Sequence, residues 1–271
     1  VIVGADEWDT GRNGSAYIYK RNSSGEWNEV QKITASDGAS ADQFGTGVGI
    51  SEGYAAVGAE EEDSVEDEGG ATYIFKEDEA GGWEEIQKLE IHDLDWYALS
   101  GGAISLSGDY LAIGARLDAT GGRVYVFKRN STRKWIRLQK LATDAPESNE
   151  HFGYSLDISG KDMIIGTKQN VNNPLGDAYI FRLNESGKWE QYQHLMASDA
   201  SANDEFGSSV GISGDYAIVG ASGKHASYIF RRDSSGTWNQ IDRFTATDQG
   251  GADHYAEAVG ISGDYVLVGD E

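Results

Sequence analysis

The chain has 271 residues, 39% of them hydrophobic, enough for one repeat domain or two ordinary ones with a buried core. Its 22 Lys+Arg against 45 Asp+Glu leave a net charge of −23, a field that repels nucleic acid and anionic membranes and favours cations and basic partners. Cysteine is absent, which excludes a disulfide framework and thiolate chemistry, and no apolar run approaches the roughly 20 residues that span a bilayer.

The chain opens inside an apolar run, Val1-Ile2-Val3-Gly4-Ala5. It is read as a strand of a mature or excerpted product whose targeting segment is not shown. The next complete unit shows the pattern. Phe44–Ser51 alternates apolar and small residues, a strand signal. Glu52-Gly53 is a two-residue turn, matched later by Gly108-Asp109, Gly214-Asp215 and Gly263-Asp264. Glycine at the first central position suits a type II′ hairpin. Tyr54–Ala59 is continuously apolar, as expected of a strand buried on both faces. After a variable loop come Ala71–Lys76, a turn around Ala80-Gly81-Gly82, and the alternating run Trp83–Leu89.

The same four strands recur, with Trp27, Trp83, Trp135, Trp189 and Trp238 marking the fourth. A period of about fifty residues means an array of supersecondary units. Four-stranded antiparallel units repeated in this way predict an all-β chain, a β-propeller of about five visible repeats, with five to seven blades if the chain is an excerpt. The expected units run about 1–35 (partial), 36–90, 91–141, 142–196, 197–246 and 247–271 (partial). Small residues recur at one first-strand position, Gly49, Ser105, Gly211 and Gly260, with Asp157 in the remaining copy. Crowding near the axis, where the first strands of narrow blades converge, is the expected reason. The third-strand tyrosines Tyr17, Tyr73, Tyr125, Tyr179 and Tyr228, like the tryptophans, are expected in inter-blade packing.

The pairing of Phe44-Gly45 with Gly58-Ala59, and of Phe206-Gly207 with Gly220-Ala221, resembles the FG-GAP repeat of integrin α-subunit propellers and their relatives. Phe152-Gly153 with Gly166-Thr167 and Tyr255-Ala256 with Gly269-Asp270 are variants. In the third copy Ser100-Gly101 stands where Phe-Gly is expected. The resemblance covers essentially the whole chain. It implies an extracellular or cell-surface propeller. Many family members carry a calcium loop between the first two strands; here that connection is a tight turn. One carboxylate on such a turn cannot supply the six to eight oxygens calcium prefers. Asp109, Asp215 and Asp264 are therefore not expected to be metal ligands, and no cofactor is expected.

Sequons occur at Asn13, Asn22, Asn130 and Asn184, the last three at equivalent hairpin tips whose counterparts are Asp78 and Asp233. They are candidate glycosylation sites; the bland alternative is that Asn forms turns. Acidic pairs precede the first strands: Asp37 with Asp42, Asp144 with Glu150, Asp199 with Asp204, Asp248 with Asp253. They are expected to order loops, with calcium as the other reading. The run Glu60–Asp63 with Glu66–Glu68 is expected to be solvated. The histidines, His92, His151, His194, His225 and His254, form no metal-ligand spacing. No nucleophile elbow, phosphate loop or zinc motif appears.

The function expected is therefore non-catalytic: adhesion, binding or assembly, through loop faces or through terminal strands pairing head to tail with a protein partner or another copy. The alternative is glycan binding through Trp8 and Trp96, which stand outside the repeated tryptophan position. A propeller hydrolase ranks last, since no motif selects a reaction.

Overall fold

The computed structural model describes residues 1–6, 13–62, 69–95, 97–118, 121–144, 150–168, 175–246 and 255–269. Trp8, Trp96, Asp63, Glu66, Asp67, Glu68, Asp248, Asp253 and His254 lie outside them. The described residues form antiparallel strands, with one short 3-10 turn at Ser222–Lys224.

The first sheet has three strands, β1 (Ile2–Ala5), β2 (Ser15–Arg21) and β3 (Trp27–Ile33). Four four-stranded sheets follow, each in sequential order. They are β4 (Phe44–Ser51), β5 (Tyr54–Ala59), β6 (Ala71–Glu77) and β7 (Trp83–Glu90); β8 (Ser100–Ser107), β9 (Tyr110–Ala115), β10 (Arg123–Arg129) and β11 (Trp135–Leu141); β12 (Ser155–Ser159), β13 (Asp162–Gly166), β14 (Ala178–Leu183) and β15 (Trp189–Leu195); and β16 (Phe206–Ser213), β17 (Tyr216–Ala221), β18 (Ala226–Arg232) and β19 (Trp238–Thr245). A two-stranded sheet, β20 (Ala258–Ser262) and β21 (Tyr265–Gly269), ends the series. These are the expected propeller blades. The chain divides into two compact units, Val1–Ala119 with Tyr125–Leu138, and Thr120–Val124 with Gln139–Glu271.

Local chemistry explains the repeat. The second strands β5, β13 and β17 are apolar, apart from Asp162 at the start of β13, because both their faces are covered; β5 and β13 are buried at every residue. At the first hairpin, Gly108, Gly160, Gly214 and Gly263 take φ of 56–61° while the following residue does not turn positive. This is the type II′ pattern. Glu52 and Gly53 are both positive, at 49° and 73°, so that turn follows the type I′ pattern instead.

The Phe-Gly and Gly-Ala signatures meet across neighbouring sheets. A Cβ on Gly58 would lie 2.0 Å from the Gly101 carbonyl oxygen, and one on Gly166 2.1 Å from that of Gly207. Only glycine allows two backbones this close. Ser100 replaces the phenylalanine in the third copy, yet Gly101 keeps the contact, with φ 106°. The preceding phenylalanine packs edge-on against the third-strand tyrosine of its own sheet: Phe44–Tyr73, Phe152–Tyr179 and Phe206–Tyr228 are 5.5, 6.0 and 5.6 Å apart.

A glutamine four residues after Trp27, Trp83, Trp135 and Trp189 clamps the next sheet; after Trp238 the position is Asp242. Gln139 donates from Nε2 to the Trp189 carbonyl at 2.7 Å and accepts the Trp189 N–H at 3.0 Å. Gln31 with Trp83, Gln87 with Trp135, and Gln193 with Trp238 repeat the pair. One primary amide thus imitates a residue of a β-ladder. Four of the five repeat tryptophans are buried, while Trp27 is 55% exposed.

Candidate functional site

Because the repeats share one scaffold, chemistry should reside where one copy departs from the rest. The comparison position is the residue five after each tryptophan. It is Lys32, Lys88, Lys140 and Arg243 in four copies and His194 in the fourth sheet. A β-bulge in each described third–fourth strand pair puts this residue opposite the third-strand tyrosine, where strict alternation from the tryptophan would not. In β14 and β15 the bulge falls between Ile180 and Phe181, so Tyr179 faces His194.

The cation stacks on that tyrosine. Lys32, Lys88 and Arg243 lie 5.5, 5.4 and 5.9 Å from the ring centres of Tyr17, Tyr73 and Tyr228. The His194 ring instead lies 4.7 Å from that of Tyr179, nearly parallel at 16°. Its Nε2 pairs with Asp177 Oδ1 at 2.5 Å. The His194 side chain is 38% exposed and that of Asp177 13%.

Three further departures surround the histidine. Asp177 occupies the place of Ser15, Ala71, Arg123 and Ala226. Thr167 stands where Ala59, Ala115 and Ala221 end the second strand. Its Oγ1 accepts the Asp177 N–H at 2.9 Å, and its own N–H donates to the Asp177 carbonyl at 2.9 Å. Glu150, buried, takes the place of Asp42 and Asp204. Elsewhere the tyrosine hydroxyl donates to another acid, Asp37 from Tyr73 at 2.7 Å and Asp199 from Tyr228 at 2.8 Å. In the fourth sheet the longer glutamate receives it: Tyr179 donates to Glu150 Oε1 at 3.1 Å, and Thr143 to Oε2 at 3.2 Å. Burial, with the Asp177 and Glu150 carboxylates alongside, pushes the Tyr179 hydroxyl well above the ordinary tyrosine range. Tyr179 therefore stays a proton donor at neutral pH.

The Asp177 carboxylate accepts from Nε2–H, which holds the imidazole in the tautomer whose Nδ1 carries a lone pair. An oriented, half-exposed imidazole of this kind can accept a proton from water. Periodicity alone hides this cluster, because its members come from two strands and two connecting segments. The one sequence signal that finds it is the substitution of histidine for lysine or arginine at the aligned position.

The other candidate residues have structural partners. Asp109 accepts from Arg129 Nε at 2.7 Å, and Asp215 from Arg232 Nε at 2.8 Å, so these turn carboxylates tie the hairpin to the end of the third strand. Asp37, Glu62 and Glu90 surround Lys88, and Asp199 and Asp204 surround Lys224. Asp42 and Asp204 also accept backbone N–H groups of Ala39 and Ser201, both at 2.7 Å. The expectation that Glu60–Asp63 is solvated is corrected in part: Glu60 and Glu62 are buried, paired with Arg116 and Lys88. Oxygen Oδ1 of Asn22, Asn130 and Asn184 accepts N–H groups two and four residues on, as that of Asp78 and Asp233 does. Asn13 Nδ2 donates to the Gly38 carbonyl at 2.8 Å. Asp157 Oδ2 accepts the Ile212 N–H of the next first strand at 2.9 Å. Trp8 and Trp96 are outside the described residues.

The FG-GAP repeat family model matches residues 27–75, 83–127, 135–181, 189–236 and 238–271. The chain belongs to the FG-GAP repeat family. No curated protein sequence matches it. Among solved structures it is similar to a protein from Lactobacillus plantarum, with 12% identity, a TM-score of 0.66, and coverage of 100% of this chain and 74% of that one. It is also similar to the periplasmic gluconolactonase of Pseudomonas aeruginosa, with 13% identity, a TM-score of 0.67 and coverage of 100% and 75%. A proposed 6-phosphogluconolactonase from Bacteroides uniformis has 15% identity, a TM-score of 0.60 and coverage of 90% and 67%. The shared fold is the β-propeller.

These likenesses correct the expected function. A non-catalytic adhesion, glycan-binding or assembly module was expected because no contiguous motif selected a reaction. Two of these neighbours carry the names of lactone-hydrolysing enzymes. The family resemblance that suggested adhesion thus does not set the function, and the exclusion of an enzyme does not stand.

Proposed function

We propose that this FG-GAP propeller is a hydrolase of sugar lactones, with His194 as general base and Asp177 as its orienting partner. The observation that carries the reading is the Asp177–His194 pair, which replaces the lysine or arginine of the other repeats. The names of the two structural neighbours support the reaction class.

Water attacks the lactone carbonyl carbon as its proton passes to His194 Nδ1. The bond from that carbon to the ring oxygen then breaks. The ring oxygen takes the proton back from the imidazolium, leaving an open-chain hydroxy acid. Water and lactone are consumed one for one, and no other reactant is needed. A positioned base of this kind contributes about 10²–10⁴-fold.

The test is titration of acid released from glucono-δ-lactone above the rate in buffer. The wild-type chain is expected to accelerate it, and His194→Gln to lose about 10²–10⁴ of that acceleration while remaining folded. A wild-type rate equal to the buffer rate overturns the reading.

The same proposal places the protein outside the cytoplasm, supported by the periplasmic neighbour. No helix among the described residues is long and apolar enough to cross a membrane. In a glycosylating host, Asn130 and Asn184 are the preferred sequons of the four, since glycan at Asn13 would break its bond to Gly38 and glycan at Asn22 its bond to Glu26.

A further inference from the structure

We infer that the lactone accepted by this site is uncharged, and that phosphorylated analogues are rejected; the inference rests on the hydrolase reading above. Two features of the chain carry it. The first is the net charge of −23, whose field lowers the local concentration of anions and slows their approach. The second is local. Phosphate is held by guanidinium or ammonium groups that can donate to it. In the second and fifth sheets the cation at the tyrosine is Lys88 or Arg243, with Lys224 added in the fifth. In the fourth sheet that position holds His194, whose partner is a carboxylate, and Asp177 and Glu150 both interact with Tyr179. Replacing the Arg243 guanidinium with an imidazole and Ala226 with Asp177 makes this end of the fourth sheet more negative than that of the fifth, where Arg243 and Lys224 offset Asp199 and Asp204; in the second sheet Lys88 is already outnumbered by Asp37, Glu62 and Glu90.

Lys168 is the fixed cation adjoining the cluster in sequence. Its Nζ lies 5.0 Å over the Tyr154 ring and 3.4 Å from that hydroxyl, against an aromatic face. A neutral sugar lactone needs none of these cations. Its hydroxyls can donate to carboxylates, and its carbonyl need only approach the imidazole.

The experiment compares kcat/KM for glucono-δ-lactone and its 6-phosphate, in the wild type and in Lys168→Ala, across ionic strength. The neutral lactone is expected to be favoured by about tenfold or more at low salt, with the gap narrowing as salt screens the field. Lys168→Ala is expected to leave the ratio unchanged. A phosphorylated lactone hydrolysed as fast or faster overturns the inference while leaving the hydrolase intact. So does a gap that ignores salt, or a selective loss of phosphorylated substrate in Lys168→Ala. If neither lactone is hydrolysed, the hydrolase reading fails and this inference falls with it.

Discussion

At His194 the chain trades the lysine or arginine of the other copies for an imidazole. Lysine and arginine on the equivalent tyrosines form ion pairs that order a loop, as Lys88 does with Asp37 and Glu62. Imidazole can do the same only when protonated, yet here it has gained a dedicated aspartate. If the histidine served packing alone, lysine would serve as well. The variant His194→Lys is therefore informative: it restores the residue of the other copies. Its urea midpoint is expected to match or exceed that of the wild type, with the lactonase rate reduced about 10²–10⁴-fold. Equal activity in His194→Lys would show that the position has no acid–base role. The histidine was visible in the sequence but had no stated role, because it matches no contiguous motif. Aligning the repeats in phase identifies it; the partners Asp177 and Glu150 emerge only when the strands are paired.

Neighbouring sheets are joined at their backbones, by close glycine approaches and by side chains that bond main-chain groups of the next sheet. The Gly58–Gly101 and Gly166–Gly207 approaches are matched by Gly4–Gly45 and Gly220–Ala256, and glutamine clamps reach Trp83, Trp135, Trp189 and Trp238. Serine hydroxyls add a third link: Ser51, Ser159 and Ser213 accept the N–H of Gly108, Gly214 and Gly263 on the next turn. Two glycine substitutions separate the causes. Gly166→Ala puts a Cβ 2.1 Å from a carbonyl oxygen, whereas Gly214→Ala meets open space and strains only a φ of 58°. The second should cost about 1–2 kcal/mol, and the first clearly more, by chemical denaturation. Equal costs would mean that the contact between sheets relaxes freely. Gln139→Ala removes both bonds to Trp189 and should cost about 1–3 kcal/mol. The Phe-Gly and Gly-Ala signatures were legible as a repeat, but that the two glycines touch one another across sheets was not. Sequence spacing records each strand, and not the distance between backbones from different units.

Charge governs the chain as a whole. A net −23 opposes compaction through self-repulsion, which salt screens. The melting temperature at pH 7 is expected to rise with sodium chloride, and this increment to vanish near pH 4.4, where the net charge is zero. An increment independent of pH would refute the electrostatic origin. Below that, specific acids matter. Lys88 holds the Asp37 carboxyl below its usual value of 3.8. Burial raises Asp199, but the Tyr228 hydroxyl, Lys224 and Arg243 outweigh it and leave that carboxyl lowered as well. A carboxylate depressed on folding stabilises above its unfolded pKa and loses that contribution as pH falls through the folded value. Stability should therefore fall below about pH 4, and less steeply in Asp37→Asn.

By itself the sequence determined the repeat, its four strands, their order and the buried face of each. These follow from the two-residue alternation of strands and from turn chemistry, both local properties. It also determined the family and hence the propeller. What only the tertiary structure decided is which departures from the repeat meet. Thr143, Glu150, Thr167, Asp177 and His194 are spread over some fifty residues. A one-residue bulge in β15 sets the phase that brings His194 opposite Tyr179, and a threonine just after β13 anchors the aspartate beside it. Periodicity averages over such single-residue events. Pairing of strands makes them into a site.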